Sequence, residues 1–236
     1  MSTSSLDLPQ ADGGDVLHTA VTTILSTIPF VGAGELFKFM VTPSLEKRRE
    51  RWMQLVAEAI QELQRRQFNI AGLQDNEEFI TLLLQCTQAA FKTHLASKHL
   101  LLKTALVNAT LASSTFDTKQ LYLTLLDRLT ESHFAILVLV EQHKRLTIRM
   151  KSADQFYEKL LELNEITSQT IEWAPFLAFL GDLEQAGLLV KSDDFKVMDA
   201  DVEQSQVMLL ESHGESGLPR MDVTDFARQF LAFIRE

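Results

Sequence analysis

Pro43-Ser44-Leu45-Glu46-Lys47-Arg48-Arg49-Glu50-Arg51-Trp52 opens the stretch on which the fold turns, and the pattern continues without a break to Gln67. Ser44 is a capping residue type. Leu45, Trp52, Leu55, Val56, Ala59, Ile60 and Leu63 recur at three- and four-residue spacing and form one apolar face. Glu46 with Arg49, and Glu62 with Arg65 and Arg66, stand on the other face, where such pairs lend a little stability to a solvated helix. The spacing predicts a long amphipathic helix over 44–67, followed by a break at Ala71-Gly72-Leu73-Gln74-Asp75.

The same grammar runs outward in both directions. Asp15 is placed to cap a helix with Val16, Leu17, Ala20, Val21, Ile24, Leu25 and Ile28 on one side and an uncharged Thr/Ser face opposite. Pro29, Gly32 and Gly34 then turn the chain into a short second piece, so that residues 16–42 read as an apolar hairpin with only Glu35 and Lys38 charged. Downstream, Asn76 or Asp75 caps a helix with Phe79, Ile80, Leu83, Leu84, Thr87, Ala90 and Phe91 on its inner stripe and Cys86 beside it. A helix over 97–112 follows, and then one long helix capped by Asp117 and reaching Gln142.

Beyond residue 150 the pattern changes. Short helices over 152–164 and 173–186 are expected, the second stopped by Gly187, since glycine accepts the left-handed conformation that ends helices. Residues 188–191 and 207–210 read as short strands, and residues 223–234 as a closing helix capped by Asp222. The expected fold is mainly α: a flexible tail over 1–14, a helical bundle with its apolar hairpin over 15–150, and a small α/β domain over 151–236.

Charge marks the same division. The chain of 236 residues carries a net charge of −10, yet residues 152–236 hold 17 acidic and 6 basic residues while residues 1–151 hold 15 and 16. An acidic C-terminal third argues against nucleic acid as a partner, because phosphate neutralisation draws on Lys and Arg. The single Cys86 excludes a disulfide within the chain and suits a reducing, cytoplasmic setting. The opening Met-Ser-Thr-Ser-Ser has no basic n-region, which predicts no cleaved signal peptide.

Chemistry-bearing motifs are sparse. His18, His94, His99, His133, His143 and His213 form no metal-binding spacing. Asp193, Asp194, Asp199, Asp201 and Glu203 lack the glycine of a calcium loop and read as a solvated acidic wing. Cys86 lies in an apolar helix without adjacent cations, which leaves its thiol inert. Ser212-His213-Gly214-Glu215-Ser216 has acid/base residue types, but in a polar loop. The chain has no phosphate-cradling glycine loop and no nucleophile elbow, so the expectation is a protein that is not an enzyme and uses no cofactor.

Two pieces of the chain resemble known patterns. Phe176, Leu180, Leu183, Gly187-Leu188-Leu189 and then Val223-Thr224-Asp225-Phe226-Ala227-Arg228-Gln229-Phe230-Leu231 resemble a degenerate winged helix over about sixty residues. Ala227 stands where such domains carry glycine, and Asp182, Glu184 and Gln185 stand where a DNA reader carries Arg or Lys. The resemblance implies DNA binding and the charge denies it, leaving a protein-contacting or architectural domain. The N-terminal half is similar to a poorly characterised group of bacterial helical proteins, through Ile28-Pro29-Phe30-Val31-Gly32-Ala33-Gly34, Pro43-x2-Glu46-Lys47-Arg48-Arg49-x2-Trp52 and Asn76-Glu77-Glu78-Phe79. That group is loosely linked to phage defence.

Taken together, these features predict a bacterial accessory protein of defence or stress with two contact elements. Residues 16–42, jointed at Pro29, Gly32 and Gly34 and collared by Lys47, Arg48, Arg51 and Trp52, are candidates for contact with an anionic membrane surface, peripheral at the inner membrane. The pieces on either side of the joint are too short for the roughly 20 residues a spanning helix needs. Residues 151–236 are the candidate for a protein partner or self-association. The alternative is a regulatory adaptor, or a transcription-regulator-like winged-helix protein, without membrane contact.

Overall fold

The computed structural model describes Thr23 and residues 43–143, 152–162, 171–191 and 221–235. The described chain is mostly helical. Its helices are α1 (Pro43–Arg65), α2 (Glu77–Lys92), α3 (Ala96–Leu111), α4 (Phe116–Arg128), α5 (Glu131–Gln142), α6 (Ala153–Glu162), α7 (Trp173–Gln185) and α8 (Asp225–Ile234). A 3-10 turn, Ile70–Asp75, joins α1 to α2, and two strands, β1 (Leu189–Lys191) and β2 (Met221–Val223), pair antiparallel with Leu189 opposite Val223 and Lys191 opposite Met221. Pro29, Gly32, Gly34 and the rest of the expected apolar hairpin lie outside the described residues, as do the expected strand over 207–210 and the acidic loops around it.

The chain divides into two compact units, 1–127 with 233–236 and 128–232. This boundary falls upstream of the change in charge near residue 150, because α5 packs on α7 and β2 within the second unit.

In the first unit, α1, α2 and α3 pack on one another. Trp52, Val56, Ala59, Ile60 and Leu63 of α1 have no exposed surface, and Leu102, Ala105 and Leu106 of α3 are equally enclosed. Each large aliphatic side chain buried in this way contributes about 1.5–3 kcal/mol. The helix ends follow local rules. Helix α1 stops at Gln67, whose φ of 62° is left-handed, with Phe68 N–H donating to Leu63 O and Gln67 N–H to Gln64 O. This is the hydrogen-bond pattern that normally recruits glycine. Asn76 caps α2 by accepting from Phe79 N–H at 2.9 Å. The inner face of α2 is Phe79, Leu82, Leu83, Cys86, Thr87, Ala89 and Ala90, so Ile80, Leu84 and Phe91 sit nearer the surface than the sequence spacing predicts.

Three expectations need correction. The long helix to Gln142 is broken at Leu129-Thr130. Thr130 starts α5 with a capping box, its N–H donating to His133 Nδ1 at 3.1 Å, and Thr115 rather than Asp117 opens α4. Asp222 does not cap the closing helix. It is a buried residue of β2, and Thr224 is the cap, its hydroxyl oxygen accepting from Ala227 N–H at 3.0 Å.

Candidate functional site

In the second unit, α7 and the two-stranded hairpin form the surface on which a binding function is best built. Helix α7 ends at Gly187, φ 70°, with Leu188 N–H bonded to Leu183 O and Gly187 N–H to Glu184 O. That ending turns the chain sharply into β1. Thr224 fastens the other strand to the same corner: its hydroxyl donates to Gly187 O at 2.7 Å and its N–H to Leu188 O at 3.1 Å. One threonine thus starts α8 and ties it to the end of α7.

Buried charge holds the hairpin to α8. Asp222 accepts from Val223 N–H at 2.8 Å and takes Arg228 Nη2 on both oxygens, at 3.1 and 3.2 Å, while Arg228 Nη1 reaches Asp225 at 2.6 Å. Behind α7, Phe176 stacks between Phe156 and Trp173, and the Tyr157 hydroxyl donates to Ile171 O. Phe176, Leu180 and Leu183 are the side chains by which α7 is buried.

The outer side of this corner is a shallow cavity of about 70 Å³ floored by Leu177, Leu180, Leu189 and Met221. Glu184 and Lys191 close its rim as an ion pair of 2.6 Å. On the other face of β1 from Leu189 and Lys191, Val190 is 48% exposed, a large fraction for a valine in a paired strand. Further along α7, Asp182 lies 3.5 Å from both Arg128 Nη2 and His133 Nε2, and Phe179 packs edge-on against the His133 ring. An apolar floor with a charged rim is suited to holding an apolar side chain of another chain, with polar groups around it setting orientation.

The basic collar of the first unit is largely taken up by structure. Trp52 is wholly enclosed, its Nε1–H donating to Thr87 Oγ1 at 2.9 Å, and the Thr87 hydroxyl donates in turn to Leu83 O at 2.7 Å. An indole so placed does not reach a membrane surface. Arg48 donates to Phe91 O at 2.6 Å, satisfying a carbonyl in the last turn of α2, and Arg49 pairs with Glu46 at 3.0 Å. Lys47 and Arg51 are exposed. Among the described residues no helix is long and apolar enough to cross a membrane.

Among the described residues, the remaining titratable groups on the sequence's shortlist form no catalytic constellation. Cys86 is fully buried and desolvation pushes its thiol far above the usual range, so the nucleophilic thiolate is inaccessible. His99 is enclosed in the core with Nε2 2.9 Å from Ala90 O, and His94 is at the surface. Among the described residues no group of three or more His, Cys, Asp or Glu side chains converges to hold a metal ion. His18, His213, Ser212 and the acidic run from Asp193 to Glu203 lie outside the described residues.

Sequence reasoning singled out Leu180, Leu183 and Gly187 but not Met221 or the Glu184–Lys191 rim. Met221 was missed because residues 221–223 border a helix and their strand character comes from pairing with β1. Compared with protein-family models, with curated proteins and with solved structures, the chain matches none.

Proposed function

We propose that the protein is a non-enzymatic bacterial accessory protein, of the kind that serves defence or stress responses, and that it acts by contact through its second unit. In this reading the second unit is a degenerate winged helix in which α7 stands in the recognition position and β1–β2 are the base of the wing. Its partner is a protein segment that presents an apolar anchor flanked by Lys or Arg. The observation that carries the reading is the corner between α7 and the hairpin, which presents half-exposed Val190 on one face of β1 and the apolar floor of Leu177, Leu180, Leu189 and Met221 on the other. Charge supports the choice of partner. The C-terminal third holds 17 acidic residues against 6 basic ones, which favours a cationic segment and disfavours nucleic acid.

The burial of Trp52 and the engagement of Arg48 favour an adaptor without membrane contact over one that docks on lipid through the collar. The test has two arms. In co-purification from a bacterial host with the full chain, Val190→Asp should lose a partner that wild type retains, while Lys47→Ala/Arg51→Ala should keep it. In sedimentation with vesicles of anionic lipid, wild type should stay in the supernatant. A partner held equally by Val190→Asp, or sedimentation abolished by the Lys47/Arg51 change, overturns the reading.

A further inference from the structure

Glycine inside a helix calls for a cause, because it is the poorest helix former after proline. Gly187 has one, the left-handed turn that ends α7. Gly181 lies in the body of α7 with helical backbone, and it is exposed. A Cβ built on it meets nothing within 4 Å among the described residues. Neither backbone conformation nor packing of the described chain accounts for glycine at this position.

What Gly181 does face is the corner cavity of about 70 Å³, whose wall it forms. Leu177 stands four residues before it and Glu184 three after, on the same face of α7. Leu189 and Lys191 lie on one face of β1, and Met221, paired with Lys191 across the strands, completes the opposite wall. The 2.6 Å ion pair of Glu184 and Lys191 joins the two walls. A side chain longer than a methyl group at position 181 would compete for the space an incoming group needs.

We infer that Gly181 is the specificity-determining residue of the contact surface. Its missing side chain keeps the wall of the cavity low, so that an aliphatic side chain of a partner protein seats on Leu177, Leu180, Leu189 and Met221 while the partner's backbone approaches α7 closely. The inference rests on the contact reading proposed above. The floor is aliphatic and thioether, which selects an aliphatic anchor over a polar one. Lysine or arginine beside the anchor complements a C-terminal third with 17 acidic and 6 basic residues.

The experiment is methyl NMR of the full chain with labelled methionine, the Met221 signal being identified by its loss in Met221→Leu. The probes are a lysine-flanked peptide with one central leucine and the same peptide with serine in its place. The leucine peptide should shift the Met221 methyl saturably and the serine peptide should not. Gly181→Ala should weaken that binding about threefold and Gly181→Leu at least about tenfold. Both variants should melt at or above the wild-type temperature, since each puts a better helix former in α7. Equal binding by Gly181→Leu and wild type, or equal binding of the two peptides, overturns the inference and leaves the contact reading standing. A Gly181→Ala protein that melts below wild type also overturns it, because the glycine then serves packing. No saturable shift with wild type overturns both.

Discussion

Replacing Trp52 separates a core residue from a surface anchor. Its indole has no exposed area and its one polar group is bonded to Thr87 Oγ1 at 2.9 Å. Trp52→Ala therefore removes the largest enclosed side chain of the first unit and should cost about 3–5 kcal/mol, enough to lower its melting temperature by about 10 °C or more. Trp52→Phe keeps most of the volume and loses the hydrogen bond, for about 1–2 kcal/mol. Thr87→Val is nearly isosteric but strands a buried indole N–H, which should cost about 1–3 kcal/mol. The assay is urea unfolding by far-UV circular dichroism, with the Thr87 variant also followed by tryptophan emission in a Trp173→Phe background. In the double variant Trp52→Phe/Thr87→Val, the two costs should add to less than their sum, because the partners lose one shared bond. A Trp52→Ala protein that unfolds within about 1 kcal/mol of wild type would refute the placement.

Three further outcomes follow from local geometry. Gln67→Gly should raise the stability of the first unit by up to about 1 kcal/mol, since glycine occupies φ 62° without strain, whereas Gln67→Val should lower it; urea midpoints decide. Thr224→Ala removes both a helix cap and the tie to Gly187 O, so it should cost about 1–2 kcal/mol and speed hydrogen exchange at the Ala227 amide, while Thr224→Ser should recover most of the loss. Burial raises the Glu62 carboxyl pKa, but hydrogen bonds from Lys103 and Arg66 outweigh it and hold the pKa below the ordinary glutamate value. A carboxyl depressed in the folded state contributes stability above its unfolded pKa and loses it as pH falls through the folded one. The stability gap between wild type and Glu62→Gln should therefore narrow on acidification through the carboxylate range; a gap that stays constant would contradict the ion-pair geometry.

What the sequence could reveal depended on how local the cause was. The inward face of α1, the Asn76 cap and the stop at Gly187 were legible because each is set within a turn or two of the residue concerned. Trp52 was readable in two ways: it belongs to the apolar stripe with Leu55, Val56 and Ala59, and it also follows a basic run. Burial decides for the stripe. The break at Thr130 was hidden because apolar spacing continues across it, from Leu121 and Leu125 to Ile136 and Leu137, while the capping threonine looks like any polar position. Asp222 carries a capping side chain in the wrong place, since Thr224 two residues later fits the corner and Asp222 is drawn inward by Arg228. The Glu62–Lys103 ion pair and the rim at Glu184–Lys191 draw on distant or newly turned segments, Lys103 from α3 and Lys191 from β1, and no periodicity announces such meetings.

The contact surface on the second unit is the central claim, and a photo-activated cross-linker at position 190 of the full chain tests it most directly. In the bacterial host, illumination should join position 190 to one protein through a segment containing an apolar residue flanked by Lys or Arg, and a cross-linker at Leu161, another exposed apolar position of that unit, should not capture it. Cross-links at 190 to nucleic acid, or the same adducts from both positions, would contradict the account.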